Sequence, residues 1–295
     1  MEAPQNHSVT TIETLQKENE IKDDIAFKRV EGASRVENFR APDCYVILLF
    51  EKCSGLHSID FREYAERDLQ VHISFPGQIH SWNTNADTSG YKLYISKRLM
   101  DTFIRFETHL SQGRPNGFPV LDLNEKTFAK LKSEFIAIER DLNSRSSDTP
   151  LSIIITRAQL IVLMVSHLIE VRKGEEMRQA RVNPVVLKFQ ALIENNYMRR
   201  RSVNYYADQL TVSSNYLNIL CRKYYKLSAK EVIMKRVFLE AKRLLWGTNM
   251  SIKEITFKLG FSDQAHFSSF IKRITGLTPK TYKNSVFFSA RVNSS

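Results

Sequence analysis

Short apolar runs separated by turn-forming stretches dominate the chain from Tyr45 onward. The runs 45–50, 69–75 and 91–95 are parted by Ser-Gly, Pro-Gly and the polar stretch 83–90, a pattern that predicts a small β-sheet or barrel. The period then changes. Phe128, Leu131, Phe135, Ile138 and Leu142 recur at helical spacing, and so do Ile154, Ala158, Ile161, Val165 and Leu168, which predicts two amphipathic helices after the strands. The polar segment 143–149, ending at Pro150, separates the two helices, and the charged stretch 172–183 before Pro184 reads as a linker. Residues 1–24 are polar and lack an apolar period, a frayed lead-in.

An internal repeat organises the remainder. Leu217, Leu220, Tyr224 and Leu227 pair with Phe267, Phe270, Ile274 and Leu277 at an offset of 50, whereas Val203, Tyr206 and Leu210 pair with Ile252, Ile255 and Leu259 at 49. One residue has been added in the second copy, in the turn around Gly260, Phe261 and Ser262. Each copy reads as a short helix, a tight turn and a second helix opened by a capping serine, Ser213 or Ser262. Between the copies, residues 228–246 carry apolar positions interleaved with Lys235, Arg236, Lys242 and Arg243, one connecting helix. Its nineteen residues span ~28 Å, close to the ~34 Å turn of duplex DNA.

The expected fold class is therefore α+β: an N-terminal barrel with flanking helices over 25–174, a linker over 175–184, an all-α domain with two helix-turn-helix units over 185–286 and a tail over 287–295. A length of 295 residues suits two such domains.

Charge sharpens this division. Residues 181–295 hold 20 Lys and Arg against 6 Asp and Glu, whereas residues 1–180 hold 23 against 26. All of the positive excess lies in the last two-fifths of the chain, as in a polyanion reader with a separate near-neutral domain. No run approaches the ~18 uninterrupted apolar residues of a membrane span, and 1–20 has no basic start followed by an apolar core. The expectation is a cytoplasmic protein with no membrane partner. Cys44, Cys53 and Cys221 match no zinc spacing and read as free thiols.

The outward stripes of the second helices carry the candidate chemistry. With Leu217, Leu220 and Tyr224 turned to the core, Ser214, Asn215, Asn218 and Arg222 face out on the first. Gln264, His266, Ser268, Ser269 and Lys272 do so on the second. Asn and Gln match adenine edges, Ser several bases, and Arg or Lys guanine or phosphate. Double-stranded DNA is the partner these residues imply. A non-specific architectural binder is the alternative, although its faces would be richer in Lys and Arg.

The segment 185–284 resembles the DNA-binding domain of AraC/XylS-type regulators. The resemblance is carried by the run from Ser251 through Gly260-Phe261 to His266-Phe267, followed by Phe270 to Gly276-Leu277-Thr278-Pro279. It implies that both second helices enter DNA and that Gly260, Phe261, Phe267, Phe270, Gly276, Thr278 and Pro279 are mainly architectural. It further implies transcriptional activation through contact with RNA polymerase. The chain departs from the family pattern at Thr256, where Ala is usual, and at Lys226 and Ala229, where Gly and Pro are common.

More loosely, 71–82 resembles the turn and strand of the cupin-like barrel at the front of such regulators, a domain that senses a small-molecule effector or forms a homodimer. Cupin enzymes hold metal with a His-x-His pair, a Glu and a later His. His57, His72 and His80 form no such pair and read as strand residues, so neither metal nor cofactor is expected. The seam on 152–170 is close to a 3.5-residue period and packs either on the barrel or on its twin in a dimer. Enzyme signatures are missing: there is no Gly-x-Ser-x-Gly, Gly-rich phosphate loop or His-Glu-x-x-His. Three scattered cysteines also cannot build the four-cysteine site of a DNA-repair methyl acceptor.

Overall fold

A computed structural model describes residues 24–41, 43–103, 119–143, 150–180 and 183–292. The chain divides into two compact units, Met1–Glu176 and Met177–Ser295.

Among the described residues the first unit has nine strands: β1 (Ile25–Glu31), β2 (Ser34–Arg40), β3 (Cys44–Lys52), β4 (Gly55–Ile59), β5 (Arg62–Glu66), β6 (Gln70–Ser74), β7 (Ile79–Thr84), β8 (Ser89–Ser96) and β9 (Val120–Asp122). Helix α1 (Lys97–Phe103) follows β8, and α2 (Glu125–Asn143) and α3 (Leu151–Ala180) follow β9. All pairings are antiparallel. They form a five-stranded sheet ordered β1-β8-β3-β6-β9 and a four-stranded sheet ordered β2-β7-β4-β5. The strands thus part into two sheets instead of closing one barrel. Two of them, β1 and β2, lie ahead of Tyr45, in a stretch whose apolar pattern is too sparse to announce them.

Strand alternation gives the five-stranded sheet two unlike faces. Tyr45, Ile47 and Leu49 of β3, Val71 and Ile73 of β6, and Tyr91, Leu93 and Ile95 of β8 join one core with Phe128, Leu131, Phe135 and Ile138 of α2 and Ile154, Ala158, Ile161 and Val165 of α3. The intervening residues Cys44, Val46, Leu48, Phe50 and Tyr94 join Phe39 and Trp82 in a second, smaller cluster. The seam of α3 is therefore packed on its own sheet, with Val165 fully buried. Its opposite face is apolar as well: Ile153, Leu160, Leu163 and Val171 are exposed. By length and composition Leu151–Arg172 could cross a bilayer, with a mean hydropathy of 1.8, but its inner stripe is core of the β unit.

The stretch read as a linker is largely helical. Helix α3 continues to Ala180 because Arg, Lys, Glu, Met, Gln and Ala are good helix formers whatever their charge. Residues 181–182 lie outside the described residues, as do 1–23, 42, 104–118, 144–149 and 293–295.

The second unit is helical: α4 (Pro184–Asn196), α5 (Val203–Gln209), α6 (Ser214–Tyr225), α7 (Ala229–Gly247), α8 (Ile252–Lys258), α9 (Gln264–Thr275) and α10 (Pro279–Val292). The last of these runs six residues past the predicted boundary at 286. One core serves both repeats, taking Phe189 and Ile193 from α4, Leu217 from α6, Val237 and Leu244 from α7, and Phe267 and Phe270 from α9.

Candidate nucleic-acid interface

Each repeat folds as the spacing predicts, α5–turn–α6 and α8–turn–α9. In both turns the residue after the first C-cap takes a left-handed conformation, Thr211 at φ 55° and Gly260 at φ 72°. The following apolar residue then returns its amide to the first helix: Val212 N–H donates to the Ala207 carbonyl at 3.0 Å, and Phe261 N–H to the Thr256 carbonyl at 3.1 Å. A Cβ on Gly260 would stand 2.3 Å from the Met198 carbonyl oxygen, so only glycine fits there. Thr256, where the family pattern has alanine, is fully buried. Its hydroxyl donates to the Ile252 carbonyl at 2.7 Å, which satisfies the added polar group.

The first cap is Ser213, whose Oγ accepts from Tyr216 N–H at 3.1 Å. The second cap is Asp263 and not Ser262: the Asp263 carboxylate accepts from His266 N–H at 2.7 Å. Ser262 is itself the added residue, so beyond it the offset of 50 pairs Ser213 with Asp263. The Ser262 hydroxyl donates to Asp263 at 2.9 Å. Donation from His266 and Ser262 holds the Asp263 carboxyl below its usual range.

Helix α6 buries Leu217, Leu220 and Cys221, and α9 buries Phe267, Phe270 and Ile271. Tyr224, expected in the core, sits half-buried at the edge because Cys221 lies closer to the centre of the stripe. Asn215 and Arg222 are exposed on α6, and Gln264, His266, Ser269 and Lys272 on α9. Ser268 is half-buried. Ser214 is half-buried too, and its hydroxyl donates to Asn204 Oδ1 at 2.8 Å.

Asn218 is engaged within the protein. Its Nδ2 donates to the Ser214 carbonyl at 3.0 Å and its Oδ1 accepts from Ala229 N–H at 3.0 Å, tying α6 to the first turn of α7. Both ends of the amide are thus occupied, which corrects its placement on the outward stripe. At the offset of 50, Asn218 and Ala229 correspond to Ser268 and Pro279. Proline has no N–H to satisfy, so the second copy needs no acceptor at that place.

Two outward positions escaped the reading from residue type. Tyr216 is 42% exposed and Ile219 53%, beside exposed Lys223; on α9, exposed Arg273 matches Lys223. The repeat contained the signal, since Tyr216 pairs with His266 and Ile219 with Ser269 at the offset of 50. An isoleucine there suits the thymine methyl, and a tyrosine offers both a ring and a hydroxyl.

The connecting helix is opened by a capping box between Ser228 and Glu231. Its basic residues divide by face. Lys235 is exposed, whereas Arg236 and Arg243 are buried. Arg236 pairs with Glu194 of α4 at 2.7 Å and Glu240 at 3.2 Å, and Arg243 with Glu240 at 3.1 Å. Burial pushes the Glu240 carboxyl up, but the two guanidinium groups outweigh it and hold the carboxyl low. These arginines brace the helix against α4 and are not part of a phosphate-facing surface. Arg201 clamps the second turn: its guanidinium donates to the Leu259 carbonyl and lies 3.9 Å from the centre of the Phe261 ring. Arg199, Arg200, Lys230, Lys253, Lys258 and Lys280 are exposed.

Residues 206–285 match a family described as a helix-turn-helix domain. The chain is 32% identical over 122 residues to the Msm operon regulatory protein of Streptococcus mutans, covering 41% of each. It is 25% identical over 159 residues to the HTH-type transcriptional activator RhaS of Enterobacter sp., covering 54% of this chain and 55% of that protein. The C-terminal unit is an AraC-type helix-turn-helix domain. The chain spans about half the length of these curated relatives. Among solved structures, the C-terminal domain of AraT, a response regulator from Geobacillus stearothermophilus, is 25% identical. That match covers 36% of this chain and 88% of that one at a TM-score of 0.34.

Outside the AraC-type domain, the first unit gathers its three strand histidines between the sheets. His57 Nδ1 lies 2.8 Å from His72 Nδ1, and His57 Nε2 lies 3.1 Å from His80 Nδ1. His72 Nε2 donates to Gln70 Oε1 at 3.0 Å, and Gln70 Nε2 donates to Asp122 at 2.7 Å. Burial drives both His57 and His72 towards the neutral form, His72 to about 3. With His72 donating at Nε2, its Nδ1 must accept from His57, whose Nε2 then accepts from His80. The rings satisfy one another in a relay, and among the described residues no group of His, Cys, Asp or Glu is arranged to hold a metal ion. The three cysteines are free and buried. Burial raises the thiols of Cys44 and Cys53 to about 12 and that of Cys221 to about 11, which makes them unreactive.

Proposed function

We propose that the protein is a sequence-specific transcriptional activator that lays α6 and α9 in successive major grooves of one DNA face. The observation that carries this reading is the duplicated unit. Two capped helices each present exposed hydrogen-bonding side chains, Asn215, Tyr216 and Arg222 on one and Gln264, His266, Ser269 and Lys272 on the other. They are joined by a helix of 19 residues, and exposed cations flank both. Base edges are read by these side chains, and the surrounding lysines and arginines hold phosphate. RNA polymerase is the second partner, and the protein works in the cytoplasm.

The N-terminal unit is the regulatory half, sensing a small molecule and assembling a homodimer. The dimer reading rests on the exposed stripe of α3. Ile153 and Leu160 stand seven residues apart with Leu163 and Val171 alongside, a repeat suited to a second copy of the same helix. A Leu160→Glu variant is expected to sediment as a monomer with unchanged helicity. Val165→Glu, aimed at the core, should unfold the unit instead.

The deciding experiment for DNA reading is selection of bound duplexes from a random pool by the full-length chain at near-physiological salt. Two short motifs about one helical turn apart are expected. Recovery of no motif, with affinity collapsing as salt rises, would leave an architectural binder.

A further inference from the structure

On β8 the strand alternation sends Tyr91, Leu93 and Ile95 to the helix-covered core, and Lys92 and Tyr94 to the space between the sheets. An apolar side chain is what that interior position calls for. Lys92 instead sits opposite Leu48 on one neighbouring strand and opposite Lys28 on the other. It is 8% exposed, and its ammonium is caged by three rings, 4.3 Å from the centre of Trp82, 4.8 Å from Phe39 and 5.0 Å from Tyr94. Among the described residues it has no ion pair and no hydrogen bond. Burial, reinforced by Lys28, pushes its amine down to about 7. Ring faces offset part of the cost of taking a cation out of water, but a full offset needs an anion.

Lys92 lines a cavity of about 220 Å³ between the two sheets. By comparison with engineered cavities that hold benzene, this admits a ligand of on the order of ten non-hydrogen atoms. Leu48, Phe50 and Trp82 supply apolar wall; Glu66 and His57 of the facing sheet are buried ionisable groups there, and the less buried Lys28, Arg29 and Glu31 also line it. Glu66 Oε2 accepts from the Cys53 thiol at 3.3 Å, while Oε1 is buried with no partner. Burial raises the Glu66 carboxyl, and its unpartnered Oε1 is free to pair with a hydroxyl or oxo oxygen of a ligand. The cavity therefore holds one unmatched cation and one unmatched hydrogen-bonding oxygen on an apolar frame.

We propose that the space between the two sheets binds a small hydroxy- or oxo-carboxylic acid, its carboxylate on Lys92 and its neutral oxygen on Glu66. The inference rests on the reading of the N-terminal unit as the regulatory half and names the class of effector. Lys92 is the one buried cation of the lining and calls for one carboxylate, and the apolar wall favours an acid with an aliphatic or aromatic body.

The test is calorimetric titration of the full-length protein with lactate, pyruvate, mandelate and phenylpyruvate, each beside its uncharged amide. At least one acid is expected to bind with Kd below about 1 mM, its amide about tenfold weaker or worse. Lys92→Met removes the charge at similar length and is expected to melt at an equal or higher temperature, since a lone buried charge is costly. It should nevertheless lose at least about tenfold in affinity for the acid. Glu66→Leu should weaken the hydroxy and oxo acids more than the plain carboxylates propionate and benzoate. Failure of all four acids to bind would overturn the proposal, as would equal binding of acid and amide, or of Lys92→Met and the parent chain. DNA affinity measured with and without the bound acid tests the regulatory reading separately, because a ligand that binds without moving it leaves the site intact and removes the regulation.

Discussion

The two helix-turn-helix units share a backbone plan but reach it with different chemistry. At the left-handed turn position one has Thr211 and the other Gly260. At the left-handed C-cap of the second helix one has Lys226 and the other Gly276. Where the first unit uses Asn218 to satisfy the Ala229 amide, the second has Ser268 before Pro279 and no amide to satisfy. The second copy follows the geometry at each place with the residue of least strain, whereas the first carries strain and repairs it with a side chain. A duplicated fold thus constrains backbone conformation more tightly than residue identity.

The largest expected effect comes from removing the low-strain residue. Gly260→Ala puts a methyl against the Met198 carbonyl at positive φ, and a loss of about 3 kcal/mol is expected in urea titration of the C-terminal transition. Loss of less than about 1 kcal/mol would mean that the turn relaxes. Next come the reading faces. Tyr216→Ala and His266→Ala should each relax preference by roughly 1–3 kcal/mol at one base position, at sites about one helical turn apart, as read from binding to single-substitution duplexes. Equal weakening on every duplex would remove base readout from these faces.

Asn218→Ala should cost about 1–2 kcal/mol of stability while leaving sequence preference unchanged. Its partner variant sharpens the comparison: in an Ala229→Pro background, where the amide is gone, the cost of Asn218→Ala should fall below about 0.5 kcal/mol. Equal costs in both backgrounds would show that the hydrogen bond to Ala229 is not what Asn218 supplies. Thr211→Gly should stabilise the first unit by up to about 1 kcal/mol, since relief of the αL strain outweighs the added freedom of the unfolded chain. The smallest change expected is for Lys272→Ala, a fall of about one in the slope of log affinity against log salt if it holds a phosphate.

Much of the helical unit was legible because the repeat reports two structures at once. The change in offset from 50 to 49 located the added residue, and the paired apolar positions located both buried stripes. The second cap was misplaced at Ser262 because both Ser262 and Asp263 are good capping residues, and only the geometry of the turn separates them. Asn218 was assigned outward because helical spacing alone cannot see the Ala229 amide arriving from the next helix. Tyr216 and Ile219 were passed over because residue type, rather than repeat position, was used to choose readers. In the β unit, strand alternation was readable along β3 and β8, but β1 and β2 were not, since edge strands with mixed faces leave a weak period.

What the sequence by itself determined is what depends on neighbours along the chain: helical and strand period, the Ser213 cap, the duplicated turn and the concentration of positive charge in 181–295. Local sterics and local hydrogen bonds decide these, and they act over a few residues. Only the tertiary structure decided which face of α3 is core and which is free, which arginines of α7 are buried against α4, and that His57, His72 and His80 meet. It alone set Lys92 within an aromatic cage facing a cavity. Those outcomes depend on burial and on partners tens of residues away, and no period in a single chain records them.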